Sequence, residues 1–133
     1  MRVVLCHGCF DILHIGHHWH LKEAKKLGDR LVVSITAAQY VNKGPGLPVF
    51  SDEERAEALR DLRFVDEVYI CHAPYAEPAL RKYKPDYYVK GIDYIDAPMV
   101  AKDKAACAEL GVIVKFTKTK KYSSGALCKR IHP

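Results

Sequence analysis

Apolar positions along the chain gather into five short runs, and between them the spacing lengthens to that of a helix. Arg2-Val-Val-Leu-Cys6 is bounded by His7-Gly8 and predicts a buried strand opening into a loop. From about Gly16, the residues His17, Leu21, Ala24 and Gly28 recur at helical spacing, and Gly28 stands where a helix C-terminal glycine is expected. Arg30 to Thr36 is rich in β-branched residues and predicts a second buried strand. Asn42-Lys-Gly-Pro-Gly-Leu-Pro48 predicts a loop. Ser51-Asp-Glu-Glu54 has the form of a capping box, the hydroxyl serving an orphan amide while Glu54 reaches back, and predicts a helix to about Arg63. Val65 to Cys71 predicts the third strand. Pro78 suits the first turn of a short helix that Pro85 stops, and Asp86 to Lys90 predicts the fourth strand. Pro98 opens a helix that closes at Gly111, Val112 to Phe116 predicts the fifth strand, and Ser123 is placed to cap a last short helix.

Strand and helix alternate throughout, with short connections and no internal repeat. The expected fold is α/β: a single Rossmann-like domain over residues 1–133, with a five-stranded parallel sheet, helices on both faces and right-handed crossovers. Ligands of such sheets bind beyond the carboxyl ends of the strands, where strand order reverses. The loops that follow strands are therefore the places to look for chemistry.

Composition narrows the classes. With 133 residues, 49% hydrophobic and 28% charged, the chain has the make-up of an ordinary globular domain. Its most apolar run, Leu31 to Ala38, is too short for a membrane span and contains Ser34 and Thr36. No signal-peptide pattern opens the chain, and a cytoplasmic protein without membrane association is expected. The five cysteines are widely spread and odd in number, which suits reduced thiols. A net charge of +5 favours anionic ligands without singling out nucleic acid.

Placement of histidine says more, since His14, His17, His18 and His20 crowd the start of the first predicted helix. His14 falls in the loop and His17 in the first helical turn, so both imidazoles can face an anion held at the helix N-terminus. Gly8 and Gly16 let the backbone approach such a ligand. Two imidazoles aimed at one phosphate suit a displacement in which charge builds on non-bridging oxygens. His18 and His20 read as incidental surface residues. A zinc site from His14, His17, His20 and Cys9 matches no standard ligand spacing, and no metal ligand set is assigned. Cys6-His-Gly-Cys9 imitates a redox pair, but Cys6 falls in a strand rather than at a helix N-terminus.

The string Gly8-Cys-Phe-Asp-Ile-Leu-His-Ile-Gly-His17 resembles the GxFDxxHxGH signature of the cytidylyltransferase-like nucleotidyltransferases, and the likeness extends over essentially the whole chain. It is greatest to sugar-phosphate nucleotidyltransferases of the heptose-phosphate adenylyltransferase type, with glycerol-phosphate cytidylyltransferase more distant. His14-Ile-Gly-His17 also resembles the HIGH motif of class I aminoacyl-tRNA synthetases. Asn42-Lys43-Gly44-Pro45-Gly46 resembles the family's lysine loop, and the segment from Pro48 to Glu57, with Arg55, resembles the helix that follows. Lys90-Gly91-Ile92-Asp93-Tyr94 is similar to the KGxDY segment of the heptose-type enzymes, and Lys118 to Ser124 aligns with an RTxGIST-like segment. Ala38 stands where relatives commonly carry aspartate, and Leu47 where a GPGRP loop carries arginine.

What the resemblance implies is a transfer of a nucleoside monophosphate from a nucleoside triphosphate, with ATP favoured and CTP next, to a sugar phosphate. His14, His17 and Lys43 would be catalytic. Gly8, Cys9, Phe10, Asp11, Gly16, Gly91, Asp93, Ser123 and Ser124 would shape the nucleotide site, and Arg55 or Lys118 would meet a substrate phosphate. It further implies Mg²⁺ with the triphosphate and a homodimer; from the length of 133 residues, an acceptor phosphate made by another protein is expected. Two alternatives stay open: a cytidylyltransferase acting on glycerol phosphate or another polyol phosphate, and a nucleotide-binding regulatory module that has lost turnover.

Overall fold

The computed structural model describes residues 1–95 and 97–118. Five strands alternate with four α-helices: β1 Val3–Gly8, α1 Ile15–Lys25, β2 Arg30–Thr36, α2 Asp52–Arg60, β3 Glu67–Cys71, α3 Glu77–Tyr83, β4 Tyr87–Gly91, α4 Pro98–Leu110 and β5 Ile113–Thr117. All the strands are parallel, in the order β3-β2-β1-β4-β5. The chain winds outward from β1 through β2 to β3, then returns to the other side of β1 and winds out through β4 to β5. Strand order therefore reverses between β1 and β4, where Cys6 pairs with both Val33 and Val89.

Alternation along the central strands divides the core in two. Val4 and Cys6 of β1, with Leu31, Val33 and Ile35 of β2, pack against Leu21 and Ala24 of α1 and Ala56 and Leu59 of α2. Leu5 and Val32 point the other way, with Tyr88, against Ala79 and Leu80 of α3 and Ala106 and Cys107 of α4. Burial on both faces explains why the strands read as continuous apolar runs rather than alternating ones. At the edge, β5 exposes Ile113.

Most boundaries fall within a residue or two of the sequence expectation. Ser51 and Glu54 form the reciprocal capping box, although α2 ends at Arg60 rather than near Arg63. Gly111 ends α4 in the left-handed conformation, at φ 75°. Gly28 is a correction. Helix α1 ends earlier, with Lys26 as its C-cap, and Gly28 is not among the positive-φ residues. A Cβ at Gly28 would lie 2.7 Å from Val4 Cγ2 and 2.8 Å from the Arg2 carbonyl oxygen, so this glycine serves the close approach of the turn to β1. The helix expected after Ser123 lies outside the described residues.

Candidate active site

Three segments meet at the reversal point: the loop after β1, the loop after β2 and the short turn after β4. In the first, His14 is the N-cap of α1. Its Nδ1 accepts from the Gly16 amide at 3.1 Å, while its own amide donates to His17 Nδ1 at 3.2 Å. This is a capping box in which both side chains are imidazoles. Because each Nδ1 accepts a backbone proton, the neutral tautomer of each ring carries its hydrogen on Nε2. The two rings lie 4.0 Å apart at a tilt of 35°, forming one unit at the positive end of a helix.

The loop holding this pair is shaped from beneath. Phe10 takes φ +50°, in the left-handed region, and its ring is buried 5.5 Å from that of His17. A Cβ at Gly8 would lie 3.0 Å from the Phe10 ring, a contact tight enough that the ring would have to give by a few tenths of an ångström. The φ of Gly8 is not in the left-handed region. The Phe10 side chain belongs to the core on the α1 and α2 face of the sheet. Gly16 is buried in the first turn of α1, where its amide serves His14.

Asp11 reaches across to the second loop and accepts from the Val49 and Phe50 amides at 2.6 and 2.9 Å. Its carboxylate thereby joins the first loop to the lysine loop. Lys43 is exposed in that loop, between β2 and α2, and its charge is felt at the Cys9 thiol. The backbone there turns through Gly44 and Gly46 at φ 114° and 77°.

Arg55 requires the largest correction. Expected as a phosphate ligand, it is 1% exposed and directs its guanidinium at the protein itself. Nε donates to the Phe50 carbonyl, Nη1 to the carbonyls of Cys9 and Thr36, and Nη2 to the Asp52 carboxylate at 2.7 Å. Its place one turn inside α2, facing the sheet, makes it a tie between loops. Asp52 also accepts from the Ala38 amide at 2.7 Å, so a carboxylate does stand beside Ala38.

Sequence reasoning passed over a buried polar group between β1, β2 and β4. His7 Nδ1 lies 2.9 Å from Ser34 Oγ and its Nε2 lies 3.2 Å from Thr36 Oγ1. Burial, and next the nearby Lys90 charge, push the His7 pKa down to about 3, so the ring is neutral. Lys90, only 6% exposed, donates to the His7 carbonyl at 2.7 Å and lies 4.7 Å from the Tyr94 ring centroid. The available signal was a histidine ending one apolar strand and a lysine ending another. Next to Lys90, Gly91 closes β4, and Asp93 lies in the 3-10 turn Ile92–Tyr94.

At the far end of α1, His20 and Glu23 hold the end of β5. His20 Nδ1 lies 2.7 Å from Thr117 Oγ1, and Glu23 accepts from the Lys118 amide at 3.0 Å. His18 meets Phe64 edge to face at 5.7 Å, so neither histidine is the loose surface group expected. The helix that bears His17 thus also anchors the start of the Lys118 segment. Ser123 and Ser124 lie outside the described residues. Among the described thiols beside this site, burial raises the Cys6 pKa to about 12, and it raises that of Cys9 against the opposing charges of Lys43 and Arg55.

Residues 5–127 match the family described as cytidylyltransferase-like. The bifunctional protein HldE of Helicobacter pylori (strain Shi470) is 35% identical over 132 residues, 98% of this chain and 27% of that protein. HldE of Alcanivorax borkumensis is 42% identical over 95 residues, 70% of this chain and 20% of that protein. The chain therefore spans between a fifth and about a quarter of the length of these curated relatives. Among solved structures, the lipopolysaccharide core biosynthesis protein from Thermoplasma volcanium GSS1 superposes with a TM-score of 0.75 at 32% identity, covering 92% of this chain and 99% of that one. A pantoate-beta-alanine ligase from Francisella tularensis shares the fold, at TM-score 0.62 and 16% identity over 93% of this chain and 61% of that one. With the paired histidines of its signature seated at the strand-order reversal, the chain belongs to the cytidylyltransferase-like family of nucleotidyltransferases.

Proposed function

We propose that this protein transfers a nucleoside monophosphate, AMP in preference to CMP, from the triphosphate to a sugar phosphate and releases pyrophosphate. The observation that carries the reading is the imidazole pair on the N-terminus of α1, with both Nδ1 atoms fixed by backbone amides. An oxygen of the acceptor phosphate, already ionised at pH 7, forms the new bond to the α-phosphorus. The α–β phosphoanhydride bond breaks in line and pyrophosphate leaves with its electron pair. No protein nucleophile is needed, because such transfers depend on positioning and charge stabilisation. The Nε2–H groups of His14 and His17 would donate to the non-bridging oxygens as charge builds, and they need no reorganisation to do so. Lys43, on its exposed loop, would neutralise the outer phosphates or the acceptor.

Magnesium accompanying the triphosphate would lower the charge of the leaving pyrophosphate. Among the described residues, no three His, Cys, Asp or Glu side chains gather as a cage. Preference for ATP and for a sugar phosphate rests on the KGIDY segment and on the similarity to HldE proteins. The family likeness also carries a homodimer, which sedimentation velocity tests directly. No described helix is long and apolar enough to cross a membrane.

The deciding experiment incubates the protein with each nucleoside triphosphate, Mg²⁺ and a panel of sugar and polyol phosphates, and measures pyrophosphate. Release with ATP and a sugar 1-phosphate is expected. Release only with CTP and a polyol phosphate supports the cytidylyltransferase alternative. Nucleotide binding without pyrophosphate from any pair would sink the enzyme reading in favour of a regulatory module.

A further inference from the structure

Two buried cations approach the first loop from opposite sides of β1. On the β2 side, Arg55 Nη1 donates to the Cys9 carbonyl at 3.1 Å. On the β4 side, Lys90 Nζ donates to the His7 carbonyl at 2.7 Å. The two carbonyls flank Gly8, and the two side chains are 1% and 6% exposed. Neither side chain lies on the surface of the crevice: Lys90 donates to the carbonyl of His7 near the end of β1, and Arg55 donates to that of Cys9 in the loop that leads to His14 as well as to Phe50, Thr36 and Asp52.

Burying an ammonium or a guanidinium is expensive unless its donors are well used. Four of the Arg55 contacts and the Lys90–His7 contact show what they are used for. In a trans peptide the N–H points opposite to the C=O. Holding the His7 oxygen toward Lys90 therefore fixes the direction of the Gly8 amide, and holding the Cys9 oxygen toward Arg55 fixes that of the Phe10 amide. Phe10 needs such support, because φ +50° is unfavourable for a residue with a Cβ. The Lys90 ammonium is itself steadied by the Tyr94 ring, so the loop after β4 is coupled to the loop after β1.

We propose that Lys90 and Arg55 are paired positioning residues which set the peptide orientations around Gly8, and through them the placement of His14 and His17, without touching substrate. This inference rests on the nucleotidyltransferase reading for its kinetic consequence, though not for its structural one.

The test compares Lys90→Met, Lys90→Arg and Arg55→Lys with the unaltered protein. Pyrophosphate release gives kcat and KM, and amide NMR reports on Gly8 and Phe10. Lys90→Met is expected to lower kcat/KM by about 10²-fold, the scale of a small misplacement at the reacting atoms, with most of the loss in kcat. Lys90→Arg should recover part of it. The Gly8 and Phe10 amide resonances should move in Lys90→Met while those of β3 stay in place. If Lys90→Met does not fold, Arg55→Lys carries the same expectations, since it keeps a charge and loses the fork of donors. Activity within twofold of the unaltered protein in a folded variant, together with unmoved Gly8 and Phe10 resonances, overturns the proposal. Should the unaltered protein release no pyrophosphate with any pair, the functional reading fails by itself, and the amide resonances still decide whether the two cations hold the loop.

Discussion

At the scale of single residues, the proposed site separates groups assigned to the substrate from groups that hold them. In that proposal His14 does both: its Nδ1 caps α1, and its neutral tautomer carries the remaining proton on Nε2. Asparagine can supply the capping acceptor without that proton. His14→Asn is therefore expected to melt within a few degrees of the unaltered protein while losing turnover by about 10²- to 10³-fold, the usual cost of removing one preorganised donor. A second residue-scale prediction concerns His7. Its pKa is about 3 in the folded protein, against an ordinary 6.5, so the unfolded chain binds the proton first as pH falls. The stability contributed by neutral His7 is whole above pH 6.5 and is lost progressively down to about pH 3. Through this window the loss approaches about 1.4 kcal/mol per pH unit. Denaturant titrations at pH 7, 6 and 5 should show this slope in the unaltered protein and a shallower one in His7→Asn. Buried Asp103, whose carboxyl is raised chiefly by burial, works in the opposite direction and is common to both proteins.

Secondary-structure elements show how local rules and tertiary contacts divide the work. Ser51 and Glu54 satisfy each other's backbone amides, a wholly local device. Ser51→Ala should cost about 1 kcal/mol, the typical value of an N-cap. Gly28 lies in the turn between α1 and β2, and its neighbours are Val4 of β1 and the backbone of Arg2 just before that strand. Adding one methyl group places it 2.8 Å from backbone, which cannot swing aside. Gly28→Ala should therefore destabilise by about 1–3 kcal/mol, as overpacking does, in an equilibrium unfolding measurement. A loss below a few tenths of a kcal/mol would show that the turn is free to shift.

For the molecule as a whole, the distribution of exposed apolar side chains follows the sheet. Apart from Met1 and Ile113, the large hydrophobic residues left exposed among the described residues are Ile12, Ile15, Tyr40, Leu47, Val49, Phe50, Ile92 and Ile95. All of them lie after β1, β2 or β4, or at the start of α1, around the carboxyl edge where strand order reverses. Exposed apolar side chains collected on the loops of one sheet edge are what a binding edge would use. Saturating ATP with Mg²⁺ is expected to reduce the fluorescence of an apolar-surface dye bound to the protein. It should also raise the unfolding free energy by about 2.7 kcal/mol at a hundredfold excess over Kd. A melting temperature unmoved by every nucleoside triphosphate would remove the nucleotide site from this edge.

Much of this architecture was legible in the order of residues. The five apolar runs, the capping box at Ser51, the prolines at 78 and 98 and the glycine at 111 are local signals, because hydrogen-bond geometry and backbone sterics act between near neighbours in the chain. The resemblance of Gly8 to His17 identified the loop, and the capping roles of His14 and His17 agree with its placement at the start of a helix. Tertiary structure alone decided what Arg55, Lys90, Gly8 and Gly28 contact. Nothing in Glu-Arg-Ala around Arg55 announces that its guanidinium reaches Cys9, 46 positions away in the chain, and nothing near Lys90 announces His7, at a separation of 83. Gly28 and Gly8 read as backbone turns, yet each makes room for a neighbour. The physical reason is the same throughout: period and capping are set within one or two turns of chain, whereas burial, and with it the destination of a buried cation's protons, is set by which strands the winding order makes adjacent.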